Sequence, residues 1–469
     1  MIISKQNVQR GMTLIEMLIA TAVSLILMAA VAQVFAAFSG AMSNGRSILE
    51  TDSRLRNVAR RLRDDLNGAT TQMLPPRTPD QGEGYFEIIE GPNSDDEIHE
   101  YYDVISSTYG PVPTLPPPQP PPPFSVLSAV AGPSNASGAS DDRLLGDTDD
   151  ILLFTSRDTE SPFVGRLAAD VIESSTAEVA WFARPTPATS NPVTYTLYRK
   201  QLLVMGYVGA SPFNTNNQMA FPGTWSGYFV QPCDISARRE IAGAVDRLVP
   251  NTLSDLTRRE SRFLHNSTGN TTGGSFPYPF VDHLTTPPDG LVFDGTARRG
   301  EDIILTNVLA FDVRVFDPAA PIGLSGSTAI VPGDTGSVGG SGSGAYVDLG
   351  HGVASNSLLT SPTITPYFSQ PTRQVGGTSD SLTRTYCTWS THYEADGINQ
   401  DSEDDASFDE GTDGLDNAPV NSLVDESSEQ ETQPPYAFPL RGIEVRIRVY
   451  EPKSRQARQV TVRHTFVPH

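Results

Sequence analysis

The chain has 469 residues, of which 38% are hydrophobic and 19% charged, with 39 glycines and 38 prolines. That composition allows one or two packed cores with long irregular insertions and excludes a compact all-helical or all-barrel molecule. With 33 Lys and Arg against 55 Asp and Glu the net charge is −22, so the body is repelled by nucleic acid and by anionic headgroups, and no nucleic-acid partner is expected.

The first stretch with a distinct signature is Gly11-Met12-Thr13-Leu14-Ile15-Glu16, followed by an uncharged apolar run from Met17 to Phe38. A short polar leader carrying Lys5 and Arg10 precedes it. In an ordinary secretory signal the apolar core lies before the cleavage site; here it follows the candidate site and stays with the mature chain. The run of 22 residues spans about 33 Å as a helix, enough for a bilayer core of about 30 Å. The cationic leader then sits inside and the acidic body is exported, as the positive-inside rule expects.

No proline occurs from Met12 to Asn67, which predicts one helix of about 84 Å, with Gly40 and Gly45 as points where a kink or loosening is expected. Beyond them the pattern turns amphipathic. Ile48, Leu55, Val58, Leu62 and Leu66 recur at helical spacing, with Arg54, Arg56, Arg60, Arg61, Arg63, Asp64 and Asp65 on other faces. This half must pack on something, and a sheet is the expected support. Pro75 and Pro76 are read as the helix stop, and 75–148 as a proline-rich linker with a polyproline spacer or exposed loop over Gly110 to Pro123.

Strands are expected at Ile151 to Phe154 and Ala177 to Ala183. Val193 to Tyr198 and Leu202-Leu203-Val204 read as a hairpin turning at Arg199-Lys200-Gln201. Ser236 to Arg262 has helical character, with Ile241, Val245 and Leu248 apolar and Pro250 interrupting, inside an insertion over 206–300. Leu309 to Val315 alternates as a half-buried strand ending at Pro318. After it comes a Ser, Gly, Thr and Pro-rich insertion over 318–380, where Gly339 to Gly344 reads as a flexible loop, since no strand-to-helix context supports a phosphate loop. Ile443, Val445, Ile447 and Val449, then a turn at Glu451 to Ser454, then Val460, Val462, His464 and Phe466 predict a terminal hairpin with one face on the helix. The fold class is therefore α+β: a leader at 1–11, a membrane or assembly helix at 12–38, its amphipathic continuation at 39–74, and a sheet body at 149–469.

Three groups could carry chemistry. Glu16 is a carboxylate at the edge of a membrane helix, where an uncompensated charge costs on the order of 2 to 3 kcal/mol near the centre. Cleavage after Gly11 would place a new amine at Met12, one turn away, as its counter-charge; an interfacial Glu closing a capping box with Thr13 is the alternative. Asp396, Asn399, Asp401, Asp405, Asp409 and Asp413 fall in an acidic segment at 394–434, with oxygen donors interleaved with glycines as a Ca²⁺ loop requires. No window there has the EF-hand spacing, and an acidic solvated loop is the competing reading. Cys233 and Cys387 could form one disulfide or remain two buried thiols. Zincin, nucleophile-elbow and Walker motifs are missing, and His265, His283 and His392 stand alone, so an enzyme is not expected.

Gly11 to Ala20 resembles the class III signal of type IV prepilins and type II secretion pseudopilins. The resemblance covers about the first tenth of the chain, and Met12 departs from the Phe usual in that family. It implies that prepilin peptidase cleaves after Gly11 and N-methylates Met12, and that Glu16 guides assembly with other pilin or pseudopilin subunits from the inner membrane. More loosely, the order of elements resembles a large minor subunit, of the J type among pseudopilins or the W type among minor pilins. Implied is a minor pseudopilin at the tip of a periplasmic filament. A minor type IV pilin in initiation, adhesion or DNA uptake is the alternative, and an anchored exported enzyme the third reading. A body this large favours the tip on steric grounds alone, because copies repeated along a filament would collide.

Overall fold

Leu14–Asn67 is one helix, α1, and it passes Gly40 and Gly45 without a break. Good helix formers on both sides outweigh the roughly 1 kcal/mol that each glycine costs. In this computed structural model the described residues are 14–75, 77, 81–90, 148, 150–185, 194–220, 233–242, 245–258, 261–263, 301–325, 328–331, 340–351, 366–368, 385–388, 436, 438–454 and 456–466.

The helix ends at Gly68, well before Pro75. Gly68 donates its N–H to the carbonyls of Asp64 and Asp65 at 3.3 and 3.2 Å, and its own carbonyl accepts from Arg157 at 2.7 Å. A side chain at 68 would lie 2.6 Å from the Arg157 carbonyl oxygen and collide with Ser156. Close approach to the sheet, rather than proline, stops the helix.

The strands are β1 (Phe86–Ile89), β2 (Ile151–Arg157), β3 (Phe163–Leu167), β4 (Asp170–Ser174), β5 (Thr176–Pro185), β6 (Tyr195–Leu203), β7 (Met219–Ala220), β8 (Ala237–Ala242), β9 (Val245–Pro250), β10 (Glu301–Ser325), β11 (Thr328–Ile330), β12 (Gly340–Val347), β13 (Thr385–Cys387), β14 (Gly442–Glu451) and β15 (Gln456–Thr465). The main sheet runs β13-β1-β2-β5-β6-β10-β14-β15, antiparallel throughout, with β11 and β12 also pairing β10. The α+β class holds.

Strand alternation divides the apolar side chains between two cores. On one face Leu152, Phe154, Val179, Trp181, Val313, Val445 and Ile447 meet Leu55, Val58, Leu62 and Leu66 of α1. On the other, Ile151, Leu153, Phe182 and Tyr198 meet Phe213, Met219, Ile235, Leu248 and Leu256, under the small sheet β7-β9-β8.

Four expectations are corrected. Within Ser236 to Arg262 lies a β8–β9 hairpin in which Leu248 pairs with Arg239 and Ile241 with Asp246; the helical spacing was too short to decide the period, and Pro250 ends a strand. The hairpin read at 193–204 is the single strand β6, hydrogen-bonded to β5 and β10. The strand from Leu309 continues past Pro318 to Ser325, with register shifts at Asp317/Pro321 and Ile322/Gly323 that accommodate the prolines. Facing it, the glycine run read as a loop forms β12; Gly344 has φ 97°, a left-handed conformation suited to glycine.

Candidate assembly and membrane interface

Leu14–Phe35 is the one segment long and apolar enough to cross a membrane among the described residues, with mean hydropathy 2.4 over its 22 residues. None of it is buried. A contiguous apolar surface this large is not tolerated in water, so lipid or other helices must cover it. Glu16 is the sole ionisable residue from Leu14 to Phe38. It lies exposed in the first turn of α1, where the helix dipole favours a negative charge. Thr21 returns its hydroxyl to the Leu18 carbonyl at 3.0 Å, so its polarity is satisfied within the helix.

The other end of α1 is fixed by a buried ionic joint. Asp65, which the helical spacing puts among the polar positions, faces the sheet and is 3% exposed. Arg199 donates Nε and Nη2 to its two carboxylate oxygens at 2.7 and 2.8 Å, and Trp181 donates Nε1 at 3.0 Å. Arg199 is 1% exposed, so both charges are desolvated and each depends on the other. Ser156 adds a bond to the Asp65 carbonyl at 2.8 Å. Thr51 further ties α1 to Glu451 at 2.8 Å, and Arg458 lies 3.6 Å from Asp52. The sequence hint of the joint is a pair of cations, Arg199-Lys200, inside an otherwise strand-like run.

Two more polar clusters are consumed by the fold. Arg262 donates to the carbonyls of Leu256 and Thr257 and to Glu87, and stacks 4.1 Å from the Tyr85 ring. Glu178 accepts from Tyr85, Ser236 and the Phe263 N–H. Burial pushes Glu178 above the usual carboxylate range, and those hydrogen bonds offset it only in part. Across the far end of the sheet an alternating ladder runs Arg463, Glu444, Arg446, Asp312, Arg314, Asp348. Burial alone would raise Glu444, and the hydrogen bonds and charges of Arg463 and Arg446 overcome it and hold the carboxyl below its ordinary value.

Cys233 and Cys387 are two buried thiols with no disulfide between them, the second of the two alternatives. Both are buried, and their backbones pair with different strands, Cys233 with Leu167 on β3 and Cys387 with Glu87 on β1. Among the described residues no group of three His, Cys, Asp or Glu side chains is placed to hold a metal ion. Asp396, Asn399, Asp401, Asp405, Asp409 and Asp413 lie outside the described residues, as do Gly11 and Met12.

Residues 6–32 match the prokaryotic N-terminal methylation motif. The matched range spans Gly11, Met12 and Glu16 and runs into the exposed half of α1. This prepilin-type motif implies processing by prepilin peptidase and assembly with other pilin subunits, and the single apolar helix fits a single-pass membrane anchor. No curated protein and no solved structure matches the chain.

Proposed function

We propose that this chain is a minor pseudopilin of a type II secretion system, cleaved after Gly11, N-methylated at Met12 and assembled at the tip of a periplasmic pseudopilus. One observation carries the reading. The helix that begins within the methylation motif continues unbroken into the spine of a large sheet body, so anchor and body form one lever. The role is structural: apolar packing of Leu14–Phe35 replaces lipid contacts as the subunit leaves the bilayer, and Glu16 pairs with a neighbour's N-terminal amine. A pilin-like arrangement of helix and sheet is part of this reading.

Mass spectrometry of the mature N-terminus tests the processing step: a methylated Met12 is expected, and an intact leader overturns it. Glu16→Gln is expected to leave the protein stable in the membrane while reducing its recovery in sheared filaments. Deleting the gene should abolish export of secreted hydrolases and leave surface pili intact; loss of pili with normal secretion overturns the assignment.

A further inference from the structure

The face of α1 turned away from the sheet has a spacing of its own. Val31, Phe35, Phe38, Met42, Gly45 and Leu49 recur in alternating steps of four and three, and all are exposed. One heptad after Leu49 the same row continues through Arg56, Arg60 and Arg63, also exposed. At about 100° per residue these nine positions fall within an arc of roughly 80°, away from the buried stripe of Leu55, Leu62 and Leu66. An apolar 3-4 row from Val31 to Leu49, continued in the same register by exposed cations, is the pattern of a helix face that receives another helix. Solvation accounts for cations on an outward face but not for Phe38, Met42 and Leu49, which are exposed beyond the membrane-length segment.

The seam changes character partway. It is apolar to Leu49, which is 69% exposed, and basic from Arg56 onward. Among the described residues Arg56 and Arg63 make no ion pair, and Arg60, with its side chain 84% exposed, lies 3.7 Å from Asp64 in a pair too solvated to count for much. In a chain of net charge −22, three cations in one row run against the overall sign.

We infer that this face docks a parallel helix from a different filament subunit, whose facing row is apolar beside Val31 to Leu49 and carries Asp or Glu beside Arg56, Arg60 and Arg63. The inference rests on the filament-subunit reading above. Two helices anchored in one bilayer by their N-terminal halves run parallel, which puts apolar against apolar and leaves the arginine row to select the partner. A second copy in the same register would set arginine against arginine, so the seam rejects self-pairing as it accepts an acidic neighbour.

The test places a photo-reactive benzoylphenylalanine at Ser53, between Leu49 and Arg56, in the full chain expressed in its host beside a second, tagged copy. Expected is an adduct with another N-methylated subunit, identified by mass spectrometry. The combined variant Arg56→Glu, Arg60→Glu, Arg63→Glu should reduce its yield about tenfold, and reversing the facing carboxylates to Arg should restore it. An unchanged thermal midpoint for the triple variant separates loss of docking from loss of fold, since all three side chains are exposed. Adducts mainly to the tagged copy, a partner without facing carboxylates, or a yield indifferent to charge reversal overturns the seam. Failure of the unsubstituted chain to enter filaments instead overturns the filament reading, and the seam with it.

Discussion

Between Leu14 and Phe35 every side chain of α1 is exposed, whereas Leu55, Val58, Leu62 and Leu66 in the same helix are almost fully buried. The first half is apolar on all sides because its expected surroundings, lipid and neighbouring helices, are apolar on all sides. The second half is patterned because a sheet contacts it on one side and water on the other. The difference separates two jobs within one element: the body's stability depends on the second half, and anchoring on the first.

The strongest way to break that division is Asp65→Ala, which leaves Arg199 buried without its carboxylate. A loss of about 3 to 5 kcal/mol is expected in urea unfolding of the detergent-solubilised chain, largely recovered by the pair Asp65→Leu, Arg199→Leu. A loss below about 1 kcal/mol would show that the joint does not hold helix to sheet. Leu62→Ala removes a fully buried side chain from the same interface and should cost about 3 kcal/mol by the same measurement.

Glu444→Gln probes the far end of the sheet, at about 1 to 3 kcal/mol. Because the folded carboxyl is held below its ordinary value, its stabilising contribution is present above the unfolded pKa of about 4.3 and lost as pH falls through the folded value. The difference between wild type and variant should therefore be full at neutral pH and shrink below about pH 4; a difference that grows on acidification contradicts the ladder. The smallest expected effect is in the first half of α1. Leu25→Ser should change body unfolding by less than about 0.5 kcal/mol while weakening retention of the chain in membrane fractions.

Much of this architecture was legible where burial acts on one face only. The terminal hairpin announced itself because Ile443, Val445, Ile447 and Val449 alternate with polar partners, and the stripe on α1 because the sheet repeats its demand every turn. The β8–β9 hairpin was hidden by charge: Arg238, Glu240 and Arg247 break the apolar alternation, and the residual spacing imitates a helix. β12 was hidden by glycine, which carries no side-chain pattern and takes its strand geometry from β10. Asp65 and Arg199 could not be matched from sequence because each, taken singly, reads as a surface charge, and only the fold brings together residues so far apart. In the interface, the motif around Gly11 and Glu16 was visible at once, while the outward row ending in Arg63 became meaningful only after the sheet had claimed the opposite side of the helix.

Gly68 has a consequence for the whole lever. Since no side chain fits between the end of α1 and the Ser156–Arg157 backbone, the helix is keyed to the sheet at one azimuth, and the bearing of the body follows that of the helix. One residue inserted between Phe38 and Gly45 would turn the body by about 100°, whereas seven would leave it within about 20° of its original bearing and raise it about 10 Å. The length of α1 is thus a phase as much as a distance, and evolution can change it only in steps that bring the same face of the body back to the same neighbour.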